Sequence, residues 1–174
     1  MATTATQASP TRPSGDFDFQ IGTWNVKHRR LRERLAGCVE WEEFDGTSTM
    51  ATILGGNGNV EDNLLHIPGG TYRAIALRSF DVSEGTWAIW WLDARNPHAL
   101  DVPVIGRFEN SVGSFYAFDV VDGIEVRVRF LWLNTDTSTP RWEQAMSTDD
   151  GTSWETNWTM EFRRPQMPAV SAEP

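Results

Sequence analysis

Cysteine is almost missing: Cys38 is the one thiol in 174 residues. That excludes an internal disulfide framework and any cysteine-rich zinc site. It suits a reducing, cytoplasmic setting, although a chain without disulfides can also be exported. No apolar run is long enough to span a bilayer, and the opening MATTATQASPTRPSG has no apolar core of the length a signal peptide needs. Positive charge is in deficit, with 15 Lys and Arg against 24 Asp and Glu and a formal net charge of -9. Nucleic acids and anionic membranes both call for the opposite balance, so neither is an expected partner.

Several motifs are also lacking. Leu54-Gly55-Gly56-Asn57-Gly58-Asn59 is rich in glycine but lies between strands, so it reads as a turn rather than a phosphate loop. No Gly-x-Ser-x-Gly elbow occurs. His28, His66 and His98 are far apart and share no metal-ligand spacing. A single His could hold a haem, but nothing marks which of the three would serve. The residues therefore suggest chemistry without metal or cofactor.

What the chain does have is aromatic mass, with nine tryptophans and nine phenylalanines. Each large ring buries roughly 150–250 Å², so these rings should line a core, a cavity or an interface. The second strong signal is period two. Ile124-Glu125-Val126-Arg127-Val128-Arg129-Phe130 alternates apolar and charged residues, as a strand with one wet face does. Asp122-Gly123 before it is a hairpin turn joining it to Phe115–Val120. Arg141–Ser147, the turn at Asp149-Asp150-Gly151, and Trp154–Phe162 repeat the design. In the last of these, Trp154, Thr156, Trp158, Met160 and Phe162 fall on one face, and Glu155, Asn157, Thr159 and Glu161 on the other. Earlier strands are Thr23–Leu31, Val39–Leu54, Tyr72–Phe80 and Trp87–Arg95. The stretch 26–37 has helix formers, a Leu31/Leu35 pair and a Gly37 stop, so local propensity supports helix there as well as strand.

The total is nine or ten strands with short connections and no crossover helices. Such a sheet is antiparallel and most simply closes on itself. One domain is expected over 16–164, with tails at 1–15 and 165–174.

Phe17-Asp18-Phe19-Gln20-Ile21-Gly22-Thr23-Trp24 resembles the opening of calycin-type barrels, the lipocalins and their relatives. The resemblance implies a helical turn closing one end, a Gly-x-Trp starting the first strand, and a basic residue of the last strand, Arg163 or Arg164, covering that Trp. It also selects strand over helix at 26–37. Arg29-Arg30-Leu31, Trp41-x-x-Phe44-x-Gly46, Trp90-Trp91-Leu92-Asp93 and Gly151-x-x-Trp154-Glu155-x-Asn157-Trp158 extend the likeness. Together they look like a widespread bacterial family of small calycin-like proteins, which has no single assigned reaction. The implied fold is all-β: one antiparallel calycin-like barrel.

Polar residues on otherwise apolar faces mark the candidate site. Trp24 and Val26 share a face with His28 and Arg30; Trp87, Ile89 and Trp91 share one with Asp93 and Arg95; Trp142 and Met146 flank Gln144. Buried charge needs a partner or a wet cavity, and apolar walls with a few convergent polar groups make a ligand pocket. His28, Asp93 and Arg95 are the candidates for proton transfer or charge stabilisation. Arg30, Trp41, Trp91, Trp132, Trp142, Gln144 and Trp158 are the candidates for ligand contact. Each has a plainer reading: His28 as a satisfied interior histidine, and Asp93 and Arg95 as solvated residues at a strand end. The leading functional reading is a binding protein for a small hydrophobic or aromatic molecule. The alternative is a cofactor-independent isomerase, cyclase or lyase in the same cavity. A third is an interaction protein whose exposed rings form a homodimer face.

Overall fold

The structure is a computed structural model describing residues 15–166. The tails expected at 1–15 and 165–174 lie almost wholly outside the described residues. The strands are β1 (Gly22–Leu31), β2 (Trp41–Ile53), β3 (Gly58–His66), β4 (Tyr72–Asp81), β5 (Thr86–Asp93), β6 (Val104–Glu109), β7 (Val112–Val121), β8 (Ile124–Leu133), β9 (Arg141–Ser147) and β10 (Glu155–Arg163). All pairings are antiparallel, and the ten strands form a closed barrel in the order β1-β10-β9-β8-β7-β6-β5-β4-β3-β2. Sequence neighbours pair around the whole ring except at the β1/β10 seam, where Asn25 faces Arg163 and Arg30 faces Trp158. This architecture is consistent with a calycin-like fold. No helix among the described residues is long and apolar enough to cross a membrane.

The segment open to two readings, 26–37, is strand as far as Leu31 and loop beyond it. Helix propensity yields because β1 pairs on both sides, with β2 and with β10.

The barrel has a plugged floor and an open mouth. A 3-10 turn, Asp18–Gln20, sits at the floor. Phe17 beside it meets Trp87 edge-on at 5.0 Å and Phe108 at 4.9 Å, and Trp132 packs at 6.1 Å. The Trp24 indole N–H donates to the Gln20 carbonyl at 2.8 Å, and the Arg164 guanidinium lies 3.6 Å from the Trp24 ring centroid. Arg164, not Arg163, is thus the covering base. Gly22 makes this possible: its φ is +97°, and a Cβ there would sit 2.9 Å from Arg164 Nη1.

Several inward positions on β3 and β4 are polar or small, a reversal of the usual strand pattern, beside the large Leu65 and Tyr72. Asn59, Glu61 and Asn63 point in from β3, and Ala74, Ala76 and Arg78 from β4. Arg78 and Glu61 form an ion pair, each side chain 3% exposed. Ser48 donates to the same carboxylate, and Arg78 also donates to Asn59 at 2.9 Å. The guanidinium lies 4.7 Å from the Phe17 ring, so the charge is both paired and stacked.

A bulge in β10 changes the face assignments before Trp158. The β9 register shifts between Thr156 and Trp158, so Asn157 is an extra residue. Trp158, Met160 and Phe162 face inward as the alternation implies. Before the bulge the parity flips: Trp154 lies outside, with Arg129 4.3 Å from its ring, and Glu155 turns toward the mouth. Asn157 is fully buried and accepts a hydrogen bond from Gln144 at 2.8 Å.

Outside, the β6–β8 wall exposes Ile105, Phe118, Val120 and Ile124. Arg127 lies over Tyr116 and Phe118 there.

Removing one member of the buried ion pair leaves a lone charge in the floor. Glu61→Ala should therefore cost about 3–5 kcal/mol in urea denaturation. The double change Glu61→Leu with Arg78→Met should cost clearly less than the two single changes added together.

Candidate functional site

Above the floor the interior is hollow. A cavity of about 350 Å³ opens at the mouth, with Trp91, Phe130, Trp142, Trp158 and Met160 forming its wall. The indoles interlock: Trp158 is edge-on to Trp91 at 5.8 Å and to Trp142 at 5.7 Å, and Phe130 is edge-on to Trp142 at 4.8 Å. Trp91 stands directly opposite the small Ala76 of β4 in the register.

Polar groups gather at the rim. Arg30 contacts Glu42 at 3.3 Å and lies 5.6 Å from the Trp158 ring and 5.3 Å from Phe44. Asp93 and Arg95 grip each other in a bidentate pair, with Nη2 to Oδ2 at 2.6 Å and Nε to Oδ1 at 3.0 Å. Burial alone would raise the Asp93 carboxyl, but the Arg95 hydrogen bonds and charge, with Arg30 behind them, leave it below its usual value. The Arg95 guanidinium stacks 3.6 Å from the Tyr72 ring centroid. Burial raises the Tyr72 phenol against the opposing pull of Arg30 and Arg95. Asp101, also on the cavity wall, has its carboxyl raised by burial and by the nearby Asp119 and Asp93 carboxylates.

The β1–β2 loop, residues 32–40, reaches over this opening. The Leu35 backbone N–H donates to Glu155 Oε1 at 2.8 Å, and the side chain packs on the core. Leu35 has φ +59°, a left-handed conformation uncommon for a residue with a branched side chain.

The sequence-marked residues divide four ways. Arg30, Trp91, Asp93, Arg95, Trp142, Gln144 and Trp158 all come together on this one cavity. Trp132 lies below it, in the floor. Trp41 is on the outer face, its ring 4.7 Å from the Arg29 guanidinium.

His28 stands behind the cavity wall. Its ring stacks on Phe44 at 4.7 Å and 9°, and Nδ1 accepts a hydrogen bond from Trp158 Nε1 at 3.3 Å. Only 2% of the residue is exposed, and burial, helped by Arg30, lowers its pKa to about 3 against the opposing effect of Asp45. A neutral ring holding its proton on Nε2 fits this geometry. Gly46 seats that ring: a Cβ there would lie 2.8 Å from His28 Nε2 and 2.6 Å from the Leu64 carbonyl oxygen. This accounts for the glycine in the Trp41-x-x-Phe44-x-Gly46 pattern.

Sequence reasoning missed Tyr72, Asp101, Phe130 and Met160 as wall residues, and Glu61 and Arg78 as interior charges. Glu61 and Arg78 had one usable signal. Each sits on the same strand face as small or polar residues, which is the pattern of a strand lining a hollow. Among the described residues no group of three or more His, Cys, Asp or Glu side chains is placed to hold a metal ion. No family model matches the chain, and no curated protein matches it in sequence.

Two outcomes follow from the His28 seat. Gly46→Ala should lower stability by about 1–3 kcal/mol, measured by urea denaturation, because both the carbonyl and the ring must shift. The folded pKa of His28 lies below the ordinary 6.5, so the unfolded chain takes up the proton first. The stability that depends on neutral His28 is complete above about pH 6.5 and falls by about 1.4 kcal/mol per pH unit below that, toward pH 3. His28→Asn, which keeps an acceptor for Trp158, should show a shallower loss of urea stability between pH 6.5 and 4 than the parent protein.

Proposed function

We propose that the protein binds a small, largely apolar or aromatic molecule in the mouth cavity. The observation that carries this reading is the wall itself. Trp91, Trp142 and Trp158 interlock around a space of about 350 Å³, within the range of small-molecule pockets. Rings held by their neighbours lose little freedom on binding, so stacking yields affinity at low entropic cost. Charged side chains, among them Arg30, Arg32, Arg34, Asp93, Arg95 and Asp101, share the lining with the indoles and would orient the ligand.

The geometry favours holding over turnover. His28 is occupied by Trp158 and stays neutral at any physiological pH, behind the wall rather than on the cavity. Asp93 and Arg95 satisfy each other. A group already in a bidentate pair must break it before it can move a proton to a substrate.

A fluorescence titration with 1-anilinonaphthalene-8-sulfonate tests the reading. One probe should bind per chain, with quenching of tryptophan emission. Trp91→Ala should weaken binding about tenfold, the loss of one good ring contact. Trp154→Ala, which removes an indole from the outer surface, should leave the affinity unchanged. Equal losses for the two variants, or no saturable binding, would overturn the proposal.

A further inference from the structure

Below the mouth cavity lies a second, much smaller one of about 30 Å³. Trp91, Phe130, Trp142 and Met160 line both spaces, so these side chains form the partition between them. The small chamber's other lining includes Glu61, Arg78 and Trp132. Its volume suits a terminal group of two or three heavy atoms, not a ring.

Two residues that line this chamber each carry a buried donor with no hydrogen-bond partner among the described residues, Trp132 Nε1 and Arg78 Nε. Trp132 is 2% exposed and Arg78 3%. An unmet buried donor weakens a fold substantially. Here the two residues that carry such donors line one chamber, which shares four side chains with the aromatic-walled cavity. Arg78 is already neutralised by Glu61, so the chamber carries no net charge. Glu61 also lines it and would repel a carboxylate. The complement to such a site is a neutral oxygen acceptor.

We propose that this chamber is the polar subsite of the binding cavity. It receives the terminal carbonyl of an aromatic or otherwise planar ligand, whose ketone, aldehyde, ester or amide oxygen accepts from Trp132 Nε1 and Arg78 Nε. The ligand enters polar end first, and Met160, the one flexible member of the partition, moves aside for it. This inference rests on the binding function proposed above and adds the chemical class and orientation of the ligand.

Three naphthalenes of nearly equal shape provide the test: 2-acetylnaphthalene, 2-ethylnaphthalene and 2-naphthoate, titrated by tryptophan fluorescence. A wholly apolar chamber would favour the ethyl compound about tenfold, because the ketone would lose its hydration without replacement. The proposal expects the ketone to bind at least as tightly as the ethyl compound, and the naphthoate more weakly than the ketone. Trp132→Phe should weaken the ketone about tenfold and the ethyl compound less than twofold. Should that variant fail to fold, the wild-type ratio decides together with the Trp132 indole N–H resonance. That resonance should move downfield with the ketone and not with the ethyl compound. A tenfold preference for the ethyl compound would overturn the subsite and show that the donors serve only a trapped water, while leaving the binding function standing. Failure of both neutral compounds to bind would overturn the binding function itself, and this inference with it.

Discussion

Closure of ten strands into one ring sets everything else in this molecule. Eight strands enclose an interior that side chains can just fill, and each added strand widens it. A ten-stranded ring therefore cannot be packed with ordinary aliphatic residues. The chain answers differently at its two ends. At the floor, Phe17, Trp87, Phe115, Trp132 and Phe162 fill the width with the largest side chains available. Toward the mouth, Trp91, Trp142 and Trp158 stand as walls of a space rather than filling it. The same ring produces a plug and a hollow.

Several polar groups inside this ring are answered by a neighbour. Glu61 and Arg78 answer each other, with Ser48 and Asn59 taking further bonds. Gln144 meets Asn157, which the β10 bulge turns inward. His28 responds to burial by remaining neutral, and as a neutral ring it can accept the Trp158 proton that a charged ring could not. The chain from Gly46 through His28 to Trp158 thus fixes the orientation of one cavity wall from behind. That is a positioning role, and it explains a buried polar side chain without assigning it a reaction.

The fold was legible because its strongest signals are local. Alternation at 124–130 and the turns at Asp122-Gly123 and Asp150-Gly151 follow from strand pleat and turn chemistry alone. The inward set on β1 and the Trp158–Phe162 face were readable for the same reason. Trp154 was not, because a single extra residue at Asn157 inverts every side chain before it, and nothing in the alternation announces that insertion. β3 and β4 were opaque for another reason. Ile75 and Leu77 face outward while Arg78 faces in, so hydrophobicity points the wrong way on strands that line a hollow. Trp41 shows the remaining limit: its ring is large and apolar, yet stacking under Arg29 satisfies it on the outer face. Which residues converge on the mouth depended on closure, and closure is a property of the whole ring.

The β1/β10 seam also imposes an order of assembly. Every other strand pair joins neighbours through short connections, so each can form early and at small entropic cost. Joining Asn25 to Arg163 requires the entire domain between them to be in hand, the most distant pairing in the chain. Arg30, His28 and Trp158 all lie along that seam. An intermediate with every other pair made would have all ten strands in an open sheet and no closed mouth cavity, exposing the unpaired edges of β1 and β10 to self-association. Completion of the mouth cavity and protection from aggregation therefore arrive in the same final step.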